Sequence, residues 1–151
     1  MDRIKFSEEV LIRCTPAQAF DVSQDYEQRL EWDTFLKSAE LTEGSTTPGV
    51  GVKSYCVANS GIGMETEYIT FNRPSTTAVR MTNRSLIFHS FLGSWNFKES
   101  DEGLTKVYFL YSYQLNYPFN LIGGLILNVF RRNVRQRLQD LKRHLETTTN
   151  C

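Results

Sequence analysis

The chain has 151 residues, enough for one well-packed domain and too few for two ordinary ones, so residues 1–151 are expected to fold as a single unit. Ten Phe, seven Tyr and two Trp within a 40% hydrophobic composition exclude a disordered chain. Lys+Arg and Asp+Glu both total 17, which leaves no net charge to draw the protein to nucleic acid or to an anionic membrane.

Residues 4–14 alternate as a strand, with Val10, Ile12 and Cys14 on one face and Leu11 and Arg13 on the other. Thr15-Pro16-Ala17-Gln18 follows as a helix start. Thr15 can cap, Pro16 suits the first helical position, and Gln18 can reach back to complete a capping box. The spacing predicts a short helix to about Ser23, then a second one capped by Asp25 and running through Trp32. From Phe35 onward, six strand-like runs (36–42, 50–59, 63–71, 76–82, 87–98 and 104–116) are separated by turn clusters such as Asn59-Ser60-Gly61 and Asn72-Arg73-Pro74-Ser75. Short loops between neighbours predict an antiparallel meander. Pro118 closes the last strand. Leu127, Phe130, Val134, Leu138, Leu141 and Leu145 then recur at spacings of three and four, the stripe of an amphipathic helix over residues 119–146. At 1.5 Å per residue that helix is roughly 40 Å long, enough to lie across a whole sheet. The expected fold is α+β: a seven-stranded antiparallel sheet wrapped around one long C-terminal helix, with two short helices after strand 1.

Charge is unevenly distributed along the chain. Residues 1–33 carry eight acids against four bases, and residues 131–143 carry six bases against Asp140 alone, so the two stretches are expected to attract each other across the fold. Cys14, Cys56 and Cys151 form no CxxC pair, which fits a reducing, cytoplasmic setting and supplies no metal spacing. Residues 1–15 lack an apolar signal core, and the apolar run 121–129 is interrupted by Gly123, Gly124 and Asn128, far short of a membrane span. No phosphate loop, nucleophile elbow, catalytic triad or metal set can be assembled, and no cofactor is expected.

The order of elements carries familiar local sequences. They are Ala17-Gln18-Ala19-Phe20-Asp21-Val22 in the first helix, Trp32-Asp33-Thr34-Phe35 before the second strand, Glu43-Gly44 with Gly49-Val50-Gly51, Arg73-Pro74, Trp95-Asn96-Phe97, Gly103-Leu104-Thr105-Lys106-Val107 and Leu138-Gln139-Asp140-Leu141-Lys142. In that sequence they resemble the polyketide cyclase/dehydrase-like branch of the START and birch-pollen-allergen superfamily, the helix-grip fold. Thr34 departs from the proline expected after the Trp-Asp pair. The resemblance implies the fold and a ligand cavity between sheet and helix. It implies no particular reaction, because the superfamily includes carriers, receptors and cyclases.

Strand alternation narrows the candidates for that cavity. In the last hairpin the more apolar face carries Val107, Phe109, Tyr111, Tyr113 and Leu115, opposite His89, Phe91, Gly93, Trp95 and Phe97. With a turn over residues 99–103, His89 lies opposite or diagonal to Tyr113, and Trp95 opposite Val107 or Phe109. The hairpin around Ser60-Gly61-Ile62 places Tyr55 opposite Glu67 and Val57 opposite Glu65, with Lys53 on the same charged, wet face. Ser54, Cys56, Met64, Thr66 and Tyr68 share the other face, and a turn at residues 72–75 sets Glu67 opposite Arg80 as an exposed pair. Glu65 and Glu67 are therefore not read as an acid/base pair.

Tyr68, His89, Phe91, Trp95, Tyr111 and Tyr113 are the candidate lining, closed by the 121–130 segment of the helix, where Leu121, Ile122, Leu125 and Ile126 are apolar and Gly123-Gly124 would leave room. Cys56 reads as a small buried filler, and His144 as a surface group in the last helical turn. Three functions are compatible with this set. The chain could bind or carry a small hydrophobic molecule of lipid-like, aromatic or isoprenoid type. It could act as a cofactor-free cyclase or dehydratase with His89 as general base and Tyr113 or Tyr111 as donor. It could dock on a protein or membrane surface through the basic 131–143 stretch. His89 also has a structural reading, hydrogen-bonded to tyrosine at the sheet edge. Binding is favoured, because it needs only shape and a few polar tips, whereas chemistry needs a base and a donor converging on one carbon.

Overall fold

The structure, a computed structural model, describes residues 2–148, and Cys151 lies outside the described residues. Strand β1 (Ile4–Ile12) ends two residues earlier than the alternation suggests, because the Cys14 N–H folds back onto the Ile12 carbonyl at 3.0 Å. Helix α1 (Pro16–Ser23) starts with the expected capping box: the Gln18 N–H donates to the Thr15 hydroxyl at 3.1 Å, and the Thr15 N–H donates to the Gln18 side-chain oxygen at 2.9 Å. Helix α2 (Arg29–Trp32) is shorter than expected, and Asp25 does not cap it. The Asp25 carboxylate instead accepts from the Glu27 N–H at 3.0 Å and the Gln28 amide at 2.7 Å, closing the turn that precedes α2.

Strands β2 (Leu36–Leu41), β3 (Lys53–Ala58), β4 (Gly63–Asn72), β5 (Thr76–Met81), β6 (Phe88–Glu99) and β7 (Thr105–Leu115) form an antiparallel meander, and β1 returns to pair with β7. The sheet order is β1-β7-β6-β5-β4-β3-β2, with all pairs antiparallel. In the β3–β4 hairpin Tyr55 opposes Glu65 and Lys53 opposes Glu67, two positions from the expected register, because the turn centres on Ser60 and carries its positive φ at Gly61. A slip of two keeps every side chain on its expected face. Glu67 opposes Arg80 as expected, and the guanidinium donates to its carboxylate at 3.2 Å on the outer surface.

The long helix begins as a 3-10 turn (Phe119–Ile122) and continues as α3 (Gly123–Thr148). Val134, Leu138, Leu141 and Leu145 are fully buried and pack with Phe6, Ile12, Phe20 and Val107. Burying each such side chain contributes about 1.5–3 kcal/mol before entropy is counted. The charge asymmetry is resolved inside the molecule. Glu8 of β1 bonds both Arg131 and Arg135 of α3, and Lys142 reaches the Leu11 carbonyl at 2.7 Å. The basic stretch is thus partly consumed by the fold, and Arg137 within it is buried. No helix of the described residues is long and apolar enough to cross a membrane.

Candidate ligand-binding cavity

The concave face of β3–β7 does not close fully on α3. A cavity of about 620 Å³ remains between the sheet, α2 and the middle of α3. Aromatic and aliphatic side chains from the sheet and α3 dominate its walls, among them Met64, Val79, Phe91, Trp95, Phe109 and Phe130. The rings brace one another: Trp95 sits 4.2 Å from Phe109, Phe91 meets Tyr111 edge-on at 4.8 Å, and Trp32 backs Trp95 at 6.1 Å between centroids.

One position in the wall carries no side chain. Gly93 lies between Phe91 and Trp95 on the inward face of β6, opposite Val79 and Tyr111. A Cβ at Gly93 would stand 3.4 Å from the Phe91 ring and 3.5 Å from the Phe109 ring, so any longer side chain must extend into the cavity. The expected source of room, Gly123-Gly124, does not supply it: Gly124 faces open space, and Gly123 lies over Ile4 and Leu115.

Four of the candidate residues, Tyr68, Phe91, Trp95 and Tyr111, line the cavity, and three do not. His89 is exposed, because β6 carries a bulge between Phe88 and Ser90. Phe88 opposes Leu115 and Ser90 opposes Gln114, so His89 is the extra residue; it turns outward and Phe88 takes the inward place. Tyr113 is inward and fully buried but lies outside the cavity lining, its ring packed against Phe88 at 5.8 Å and Phe130 at 5.3 Å. Leu125 is 63% exposed. It stands two residues, or about 200° of helix, before the Leu127 stripe, which puts it on the solvent side. Only Val129 and Phe130 of the 121–130 segment reach the cavity.

The polar side of the cavity was not expected. Tyr68 donates to the Gln24 side-chain oxygen at 2.7 Å, so in the 2.9 Å contact between Tyr26 and Tyr68 the proton comes from Tyr26. The Gln24 amide donates in turn to Ser23 Oγ at 2.9 Å, and that hydroxyl donates to the Phe20 carbonyl at 2.9 Å. Burial pushes the ionisation of both Tyr26 and Tyr68 upward, so both stay neutral phenols near neutral pH.

Beside this chain lies a charged trio. Asp33 Oδ2 accepts from Arg29 Nε at 2.9 Å and from Arg137 Nε and Nη2 at 3.2 and 3.0 Å. Arg29 Nη1 donates to the Ser23 carbonyl, and Arg137 Nη1 donates to the Tyr111 hydroxyl at 3.1 Å. The guanidiniums also cover aromatic faces, Arg29 over Trp32 at 5.1 Å and Arg137 over Phe35 and Phe109 at 5.0 and 5.3 Å. Burial works against ionisation of Asp33, but Arg137 and Arg29 outweigh it and hold its carboxyl below the usual range. Burial likewise opposes the charge of each arginine, and the Asp33 carboxylate outweighs it, so both pKa values are raised. Cys56 also lines the cavity, and burial pushes its thiol up despite the two arginines.

Arg29 and Arg137 escape a reading based on charge runs, because each lies in a stretch that looks solvated. A helical projection does carry a signal for Arg137, which falls three residues after Val134 and four before Leu141, on the buried stripe.

Residues 3–146 match the family described as polyketide cyclase / dehydrase and lipid transport. The chain belongs to that family. Among solved structures it is similar to the Zhui aromatase/cyclase of a Streptomyces species, at TM-score 0.82 and 13% identity over 96% of this chain and 94% of that one. It is also similar to Ara h 8.0201, at TM-score 0.74 and 14% identity over 97% and 100%, and to a Thermus thermophilus protein, at TM-score 0.76 and 19% identity over 95% and 98%. These likenesses carry the helix-grip fold shared across the family. No curated protein matches the sequence. Membership of the family fits ligand binding and cyclase or dehydrase chemistry alike, so the cavity's own residues must decide between them.

Proposed function

We propose that the protein binds a small, mostly apolar molecule in the cavity between sheet and helix. The observation that carries this reading is the 620 Å³ space itself, within the range of small-molecule sites, walled by braced aromatic rings with polar atoms along one side. Its tyrosines Tyr26 and Tyr68 and its thiol Cys56 are shifted upward in pKa, and His89 is exposed on the far side of a bulge. That arrangement favours holding a molecule over abstracting a proton from it, because a general base works best with a pKa near the working pH.

The test is titration with the neutral fluorophore N-phenyl-1-naphthylamine, following its emission and that of Trp95. One-to-one binding is expected, together with loss of binding in Gly93→Leu, whose side chain would occupy the space. Gly93 has no positive φ, so the substitution strains no backbone turn. Binding that fails in the native protein, or that persists unchanged in Gly93→Leu, would reject the reading.

A further inference from the structure

The charged side of the cavity points to the chemistry of its occupant. Among the described residues that line it, Arg29 and Arg137 are the only charged ones, and no carboxylate shares the wall. Both arginines are 6% exposed. Asp33, behind them, is the one carboxylate among the described residues bonded to either guanidinium, and it meets both through a single oxygen, Oδ2. The other buried carboxylate nearby, Asp140, lies outside the lining and accepts from the Thr34 N–H and hydroxyl and from Gln136. Two guanidiniums against Asp33 leave one positive charge in excess at the cavity wall.

Donors are in excess as well. A guanidinium carries five N–H groups. Arg29 engages Asp33 through Nε and the Ser23 carbonyl through Nη1, and its Nη2 has no protein acceptor among the described residues. The Tyr111 hydroxyl accepts from Arg137 Nη1, which leaves its own proton to donate. The unpartnered Nη2 keeps some exposure, so an acceptor in the cavity can reach it. The trio therefore suits a partner that brings a negative charge and at least two acceptor oxygens.

We infer that the molecule held in this cavity is an apolar carboxylic acid, its carboxylate seated on Arg29 and the Tyr111 hydroxyl beside the Asp33-bridged Arg137, its hydrocarbon body among Phe91, Trp95 and Phe109. This deepens the ligand-binding reading and rests on it. A planar carboxylate matches the guanidinium fork with two parallel hydrogen bonds. An excess of one positive charge matches a monoanion and would leave a phosphate dianion uncompensated. The phenol chain Tyr26–Tyr68–Gln24 stands on the same side of the cavity and offers lone pairs on Tyr26 to a ligand hydroxyl, but the carboxylate needs none of it.

The experiment is displacement of N-phenyl-1-naphthylamine at neutral pH by two matched pairs, 2-naphthoate with its methyl ester and dodecanoate with its methyl ester. One acid at least is expected to bind tenfold or more tightly than its ester, the scale of hydrogen bonds to a charged group. Arg29→Gln should remove that preference, so that each acid displaces the fluorophore no better than its own ester, since the Asp33–Arg137 pair that remains is charge-balanced. Tyr111→Phe should lower acid affinity roughly fivefold through loss of one donor. Where Arg29→Gln no longer retains the fluorophore, Tyr111→Phe decides. If the fluorophore and the esters bind but neither acid is preferred, this inference fails and the cavity reading survives. If an acid is preferred and neither variant diminishes the preference, the carboxylate sits elsewhere and the assignment is wrong. Failure of every probe to bind the native protein rejects both.

Discussion

Replacing Asp33 with asparagine tests whether the buried trio is organised as described. The side chain keeps its size, and Oδ1 can still accept from the Phe35 N–H at 3.1 Å, but the charge that holds Arg29 and Arg137 is gone. The Oδ2 position becomes an NH2 that cannot accept, so three charge-assisted hydrogen bonds are lost, and two guanidiniums at 6% exposure are left facing each other. Removing one partner of a buried ion pair costs about 3–5 kcal/mol, and two like charges place this site at the upper end. Against a total of about 5–15 kcal/mol for a domain, that loss is readily seen in urea unfolding as a lower midpoint at unchanged slope. Arg29→Gln, which leaves a balanced pair, should cost less, about 1.5–3 kcal/mol. The pH dependence adds a check of sign. The folded-state pKa of Asp33 is depressed, so its contribution is complete above the unfolded value of about 3.9 and is lost as pH falls toward the folded one. The gap between native protein and Asp33→Asn should therefore narrow below about pH 4. A loss under 1 kcal/mol for Asp33→Asn, or a larger loss for Arg29→Gln, would show that the arginines are hydrated through the cavity and that Asp33 does not organise them.

Periodicity and capping chemistry carried the fold, because they report local and face-by-face preferences that tertiary packing here reinforces. The Thr15 capping box, the six strand runs from residue 36 onward and the Leu127-to-Leu145 stripe all reappear within a few residues. Facing survived even where register did not: the β3–β4 slip moved Tyr55 from Glu67 to Glu65 without turning it over. His89 is the counterexample. A bulge adds one residue and so inverts facing, and nothing in Phe88-His89-Ser90 marks it beforehand. The polar side of the cavity was illegible for another reason. Arg29, Asp33 and Arg137 come from positions up to 108 residues apart in the sequence, and only their convergence turns three ordinary surface-type residues into a buried site.

His89→Ala should change stability by no more than about 0.5 kcal/mol and leave fluorophore affinity unchanged, as befits an exposed bulge residue. Thr15→Ala should cost about 1 kcal/mol in thermal or urea unfolding, through loss of the α1 cap. Glu67→Ala and Arg80→Ala should each cost at most about 1 kcal/mol, the scale of an exposed pair, and less at high salt. The facing of α3 is tested by a matched pair of leucine truncations. Leu138 is fully buried against the sheet, so Leu138→Ala opens a cavity in the packed part of the core and should cost about 2–5 kcal/mol. Leu125 removes the same atoms from the solvent side, where they fill nothing, so Leu125→Ala should stay within about 0.5 kcal/mol and leave fluorophore binding intact. Equal losses at the two positions, or weakened binding in Leu125→Ala, would mean that α3 is rotated about its axis and that the start of the helix does close the cavity.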